Sequence, residues 1–292
     1  MKSFSLKTTA LLGATGLALF AGPALAQPDT AATYDWSGPY VGANVGWNNN
    51  QTSVHGGTAT TRQLSGVDAG AGPVTVPPAT YNTARMDFSG DGFAAGGQVG
   101  FNHQMGHLVL GAEGDMDAVG GHSGQSSTYD LPATALTTGS TVSIVRRSNP
   151  NWTATLRGRV GYAMDRVLLY GTGGLALADE RQAAIYAYTP TVTAAVANAN
   201  PGTTFGTSFN STSGGRTLVG WTVGGGAEYR LNQAVSLGAE YRHSDYGDHT
   251  YTFATNAPGR TSENPTIHVA DDQVLAKVNF HFGPGGWMFW RQ

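Results

Sequence analysis

Charge is scarce in this chain, at 12% of residues, yet charged residues recur in pairs two positions apart within otherwise apolar stretches. Glu113 and Asp115, Arg157 and Arg159, Glu228 and Arg230, and Glu240 and Arg242 are such pairs, and Lys277 stands alone in a similar stretch. Spacing of two puts both members on one face of a strand. Four acids and five bases carried this way can do one of two things. Withdrawn from water they must pair, because an isolated buried charge costs several kcal/mol, and they then fill an interior and fix its register. If the pairs exchange partners, the same groups gate a narrow conduit. A third chemistry is suggested by His243-Ser244-Asp245, the residue types of a hydrolase. Neighbours on a strand point to opposite faces, so His243 and Ser244 cannot approach to the ~3 Å that a nucleophile and its base require.

Other chemistry is thin. The eight histidines show no zinc-ligand spacing, so no metal is expected. Gly171-Thr172-Gly173-Gly174 and Gly224-Gly225-Gly226 lack a following Lys-Ser/Thr and are not phosphate loops, so no cofactor is expected either. They read as thin wall. Glycine is abundant, at 42 of 292 residues, and small residues on an inner wall make room for large neighbours in a narrow barrel.

The elements that must carry these residues are strands of about ten residues, alternating apolar and polar. Eight are expected: Tyr40–Trp47, Phe93–Asn102, His107–Asp117, Trp152–Tyr162, Val167–Ala178, Leu218–Leu231, Val235–Ser244 and Gln273–Phe282. Tight turns at Met105-Gly106, Met164-Asp165-Arg166 and Asn232-Gln233-Ala234 alternate with long connections at 48–92, 118–150, 179–215 and 245–271. The connections are rich in Thr, Ser, Ala, Asn and Gly and are read as mobile loops. Short turns on one side and long loops on the other are the outer-membrane arrangement, and a soluble sandwich does not sort its loops this way. The fold class is all-β: an eight-stranded antiparallel up-and-down transmembrane β-barrel with long extracellular loops and short periplasmic turns. The closed ring is required because an open sheet edge finds no water in lipid.

Alternation then assigns faces. The paired charges fall inside. Trp47, Phe93, Trp152 and Tyr241 fall outside near the outer strand ends, and Phe101, Tyr162, Tyr229, Phe280 and Phe282 outside near the periplasmic ends. Two aromatic girdles at the two interfaces are the expected result. The fifth strand is apolar on both faces, and its orientation stays open.

The ends set the compartment. Lys2 and Lys7, the apolar run 10–20 and Ala24-Leu25-Ala26 form a signal peptide over residues 1–26, cleaved before Gln27. Residues 27–39 are then a periplasmic N-terminal segment, 40–282 the barrel and 283–292 a C-terminal tail. The processed chain carries a net charge of −5, which argues against nucleic acid as a partner. There is no cysteine, so disulfides take no part.

Several stretches together resemble the small outer-membrane β-barrel surface-antigen family, in its alphaproteobacterial, opacity-like or porin-like branch. They are the Trp36–Gly42 run, 92–100 (GFAAGGQVG), 110–115 (LGAEGD), 156–162 (LRGRVGY), 169–174 (LYGTGG), 220–229 (GWTVGGGAEY) and 238–242 (GAEYR). The resemblance covers the strands and little of the loops. It implies a barrel in the outer membrane with a role in envelope integrity and surface interaction. Such barrels usually end on the last strand's aromatic, whereas here ten residues follow Phe282; a tail resting on the interface is the preferred reading.

The function expected is therefore a structural and surface-interaction barrel, not an enzyme, with a lumen filled by charged side chains. A narrow porin-like channel for small solutes is the alternative, and a lipid-modifying enzyme a third. The expected partners are outer-membrane lipid and lipopolysaccharide, the insertion machinery, and extracellular or host ligands met through the loops.

Overall fold

The computed structural model describes residues 34–61, 65–68, 73–75, 79–133, 137–201, 205–253 and 261–282. The signal peptide and the tail assigned from sequence lie outside these residues. Eight antiparallel strands close into a ring: β1 (Gly38–His55), β2 (Met86–Met105), β3 (Leu108–Val119), β4 (Thr141–Met164), β5 (Val167–Thr189), β6 (Ser208–Arg230), β7 (Val235–Thr250) and β8 (Thr266–His281). Each pairs with its sequence neighbour, and β8 returns to β1. Pairings run from Tyr40 through Gly100, Glu113, Arg157, Gly174, Thr222, Ser244 and Asp271 to Asn50, ten residues further along β1. With about 3.3 Å per residue and about 4.8 Å between strands, that stagger tilts the strands by roughly 40° at a backbone radius of roughly 8 Å. Such a cylinder has room for side chains and little else.

The tight turns fall where the sequence puts them. Gly106 and Asp165 take positive φ, 62° and 52°, in the β2–β3 and β4–β5 turns. In the β6–β7 turn the Asn232 side chain accepts from the backbone N–H groups of Ala234 and Val235 at 2.8 and 2.9 Å.

The strands are longer than the alternation of apolar and polar residues suggests. β4 starts at Thr141 rather than Trp152, β5 runs on to Thr189 rather than Ala178, and β6 starts at Ser208 rather than Leu218. Much of what reads as mobile loop is sheet. The reason is a reversal of polarity. In the lower half, apolar residues such as Val45, Leu156, Leu175 and Val274 face out while polar ones face in. Beyond Trp47, Leu177 and Val274 the outward positions become Gln51, Arg181 and Asp272, and the inward ones become Val54, Ile144, Tyr186 and Ile267. The lower half is the membrane-spanning band, and the upper half is an ordinary water-soluble sheet with its apolar side inward.

The ring also opens there. The β6–β7 ladder ends at Trp221–Asp245 and the β2–β3 ladder at Ala94–Val119. Above these points a sheet of Ser123–Asp130, β4, β5 and β6 faces a sheet of β2, β1, β8 and β7. Between them lies a cluster that includes Val54, Met86, Val142, Ile144, Tyr186, Leu218, Phe253 and Ile267. A short helix, α1 (Ala194–Ala199), N-capped by Thr193, belongs to the β5–β6 connection.

The fifth strand is now oriented: Leu169, Leu175 and Leu177 face lipid, and Leu168, Tyr170 and Ala176 face in. Its neighbouring glycines separate by face. A Cβ built on inward Gly174 would meet the Leu156 carbonyl oxygen at 2.1 Å, whereas one on outward Gly173 meets nothing closer than 3.8 Å. Inward glycines in this narrow wall are needed for strand contact; this outward one is not.

Candidate functional site: the ionic lumen

Arg157, on β4, is the hub. Its guanidinium donates to Glu113 and Glu240 at 2.6 Å each, to Asp115 at 2.7 Å and to Thr172 at 3.0 Å. Lys277 on β8 joins the same two glutamates from the other wall, at 2.7 and 2.9 Å. Arg242 on β7 donates to Asp115 and to Asp117 at 2.6 Å each, and to Gln273. Arg159 pairs with Glu228 and stands 3.8 Å from Glu113. Its guanidinium lies over the Tyr170 ring, 3.7 Å from the centroid. Tyr40 and Tyr170 donate to Glu113 and Glu240 at 2.7 and 2.9 Å.

Strand order explains the convergence. The ring spreads the pairs over five strands, the alternation turns each inward, and the stagger brings Glu113, Arg157 and Glu240 to meeting heights. All these side chains are essentially removed from solvent. Each of the ten oxygens on Glu113, Asp115, Asp117, Glu228 and Glu240 accepts at least one hydrogen bond. That saturation is what makes buried charge tolerable.

Sequence reasoning left out Asp117, whose inward position supplies the fifth acid. Its signal was available: it continues the two-residue series of Glu113 and Asp115. Arg230 belongs elsewhere than the hub. It sits at the lower mouth, donates to the backbone oxygen of Asp35 at 2.9 Å and lies 4.6 Å from the Trp36 ring centre. Trp36 is fully buried, packs with Val109, Ala163, Leu168 and Tyr170, and donates from its indole N–H to the Asp165 carbonyl at 3.3 Å. The segment before β1 thus turns into the barrel mouth and closes it. A lone Trp before the first strand carries no periodicity that would reveal this.

The outward aromatics line up in two belts. Trp47 and Phe93 form an edge-to-face pair at 5.3 Å, Tyr241 donates to Asp272 at 2.6 Å, and Trp152 is half-buried. Phe101, Tyr162, Tyr229 and Phe280 are exposed at the other end, and Phe282 is half-buried. Trp221, exposed and 5.6 Å from the His243 ring, extends the outer belt. His243 bonds Asp272 at 2.8 Å on the outside, while Ser244 bonds Thr222 at 3.0 Å inside, so these residues form no nucleophile–base pair.

Above the band, two further charge groups are buried. Arg146 pairs with Glu263, which also accepts from Tyr186 at 3.2 Å and Thr83 at 3.1 Å. Glu180 on β5 and Asp271 on β8 have no basic partner within ion-pair distance among the described residues. Burial pushes each carboxyl up to about 7, against the pull of a Ser148 hydrogen bond at Glu180 and of the more distant Arg242 at Asp271. Among the described residues no three His, Cys, Asp or Glu side chains form a metal-holding group.

Residues 12–282 match a family model described as the outer membrane protein beta-barrel domain. The chain is 29% identical to the 31 kDa outer-membrane immunogenic protein of Brucella melitensis biotype 1 over 288 residues, 96% of each chain. It is 30% identical to the 22 kDa outer membrane protein of Rhizobium leguminosarum bv. viciae over 190 residues, 64% of this chain and 70% of that one. The crystal structure of Neisserial surface protein A is similar at 16% identity and a TM-score of 0.34, over 84% of this chain and 98% of that one.

Proposed function

Because the chain belongs to the outer membrane protein beta-barrel family, and is an outer-membrane surface protein, we propose that it works as a closed barrel rather than a conduit. In this reading the network of Glu113, Asp115, Arg157, Arg159, Glu228, Glu240, Arg242 and Lys277 is a structural filling, with Arg230 holding the Trp36 stopper below it. The two aromatic belts, Trp47, Phe93, Trp152 and Tyr241 near the outer strand ends and Phe101, Tyr162, Tyr229, Phe280 and Phe282 near the periplasmic ends, hold the barrel at its lipid interfaces. The observation that carries the reading is the stacking of three closed layers: buried Trp36 at the bottom, the buried ion network in the middle and the apolar cluster on top. Planar-bilayer recording tests it. Wild-type protein is expected to give no steady openings; steady openings altered by Arg157→Ala would establish the channel instead.

The surface role falls to the upper half, whose outward face is polar and raised above the membrane. Extracellular or host ligands are met there, and no catalytic step is assigned. The chain lacks cysteine, so single cysteines report topology cleanly. Ser211→Cys is expected to react with an impermeant maleimide on intact cells, and Asn232→Cys only after the envelope is opened. The insertion machinery reads the last strand through Phe280 and Phe282; removal of residues 283–292 leaves insertion intact on this reading.

A further inference from the structure

Above the fork no backbone ladder joins the two upper sheets among the described residues. At the fork itself each sheet contributes one buried carboxyl, Glu180 from β5 and Asp271 from β8, to a shared cavity of about 10 Å³. Both lie beside a break in register. The β4–β5 ladder shifts between Asp179 and Glu180, and the β7–β8 ladder shifts between Asp245 and Asp248, just past the Asp245–Ala270 pair. Val119, Pro150, Ala178 and Val269 give the cavity largely apolar walls. Glu180 Oε1 accepts from Ser148 and from Gln182 at 2.9 Å, while Oε2 has no hydrogen-bond partner. Asp271 accepts from Gln273 at 2.8 Å and, with the amide nitrogen of Asn48 turned toward it, from Asn48 at 3.2 Å. The neighbouring guanidiniums are engaged elsewhere, Arg242 with Asp115 and Asp117 and Arg146 with Glu263.

A carboxyl in apolar surroundings without a base costs least when neutral, and two ionised ones repel. We propose that Glu180 and Asp271 form a proton-operated latch: protonated, they let the upper sheets close on one another, and ionised, they force the sheets apart at the fork. Burial holds both groups up to about 7, so in acid both keep their protons. Opening returns each carboxyl to water and to its ordinary value near 4. Between about pH 4 and pH 7 the open form therefore gains about tenfold per pH unit for each carboxyl, and above that range the gain stops. The groups around the pair do not replace it as the switch. Asp179 and Asp272 add like charge, Arg242 attracts Asp271 from below, and His243 stands outside on Asp272. Tyr246 and Tyr251, the latter approached by Arg216, are pushed up by burial and keep their protons. The membrane half has continuous ladders and stays shut. The half that meets the outside is tightest in acid.

The test uses full-length protein in detergent with a single cysteine, either at Val54 in the buried upper cluster or at Ser211 on the exposed face. Labelling by a methanethiosulfonate reagent is timed from pH 5 to pH 8, and the ratio of the two rates cancels the thiol's own pH dependence. The ratio of Val54→Cys to Ser211→Cys is expected to rise more than about tenfold from pH 5 to pH 7 and then to level off, with the heat-modifiable gel shift kept throughout. Glu180→Gln/Asp271→Asn, which holds both groups neutral, abolishes the rise, and His243→Gln keeps it. Glu180→Gln and Asp271→Asn singly each weaken the rise, and they decide where the double variant does not fold. A flat ratio in the otherwise wild-type chain overturns the proposal, and so does a rise that the neutralising variants leave unchanged.

Discussion

The two halves of this barrel share strands and a two-residue rhythm, yet they are built inside out relative to each other. In the membrane half Leu156 and Val160 meet lipid while Arg157 and Arg159 meet acids inside. On β8 Val274 faces lipid and Lys277 the lumen, while higher on that strand Ile267 points into an apolar cluster and Asp272 to the outside. The surrounding solvent sets which parity is apolar: acyl chains draw the hydrophobic face outward, and water pushes it inward. A continuous strand can cross from one regime to the other because alternation carries no preferred sign.

The comparison predicts different failures in the two halves. Arg157→Ala removes the group that joins Glu113, Asp115 and Glu240 and leaves three buried carboxylates short of a partner. Removing one partner of a buried pair costs about 3–5 kcal/mol. The expected result is a barrel that loses its heat-modifiable gel shift at much lower denaturant than wild type; an unchanged midpoint would show that the network is not structural. In the upper half Ile144→Ala should cost about 2–4 kcal/mol, as large-to-small core changes do. That loss is expected to be local: faster protease cleavage of the extracellular strands on intact cells, with the gel shift retained. Loss of both together would mean that the halves unfold as one unit.

The wall between lumen and lipid gives a finer contrast. Gly174→Ala drives a methyl into the Leu156 carbonyl and should destabilise by about 1–3 kcal/mol. Gly173→Ala, one residue away and facing lipid, should change stability by less than about 1 kcal/mol, with the sign set by the restricted unfolded chain. Equal costs would refute the assignment of faces on β5. The last contrast is one of pH. Glu180 and Asp271 are held up to about 7 when folded, so the folded chain keeps protons that the unfolded chain releases near pH 4. This contribution is complete below the unfolded value and disappears as pH rises to about 7. His243, Asp272, Asp179 and Arg242 surround the pair and modulate it. A fall in unfolding temperature from pH 5 to pH 8 is expected, and it is absent in Glu180→Gln/Asp271→Asn.

The membrane half was the legible part. Its strand count, tight turns, outward aromatics and inward acid–base pairs all follow from alternation over stretches with apolar partners. Asp117 was the last residue of its expected strand and was left out of the charge series although its spacing fits. The upper strands were illegible because Thr, Ser, Ala and Asn alternate there with only a few apolar residues, and with the opposite parity. Trp36, the partners of Arg230 and the Glu180–Asp271 pair were beyond any local pattern, since each acquires its meaning from residues tens to hundreds of positions away.

What the amino-acid order alone determined is which residues share a face, and therefore that acids and bases must end on one side of a sheet whose other side is apolar. Only closure of the ring decided which acid meets which base. A stagger of ten residues per circuit sets the relative heights of β3, β4, β7 and β8, and with them the meeting of Arg157 with Glu113 and Glu240. The physical reason is that pleat and side-chain polarity are local properties of a strand, whereas register around a closed cylinder is a collective one, fixed by all eight ladders at once.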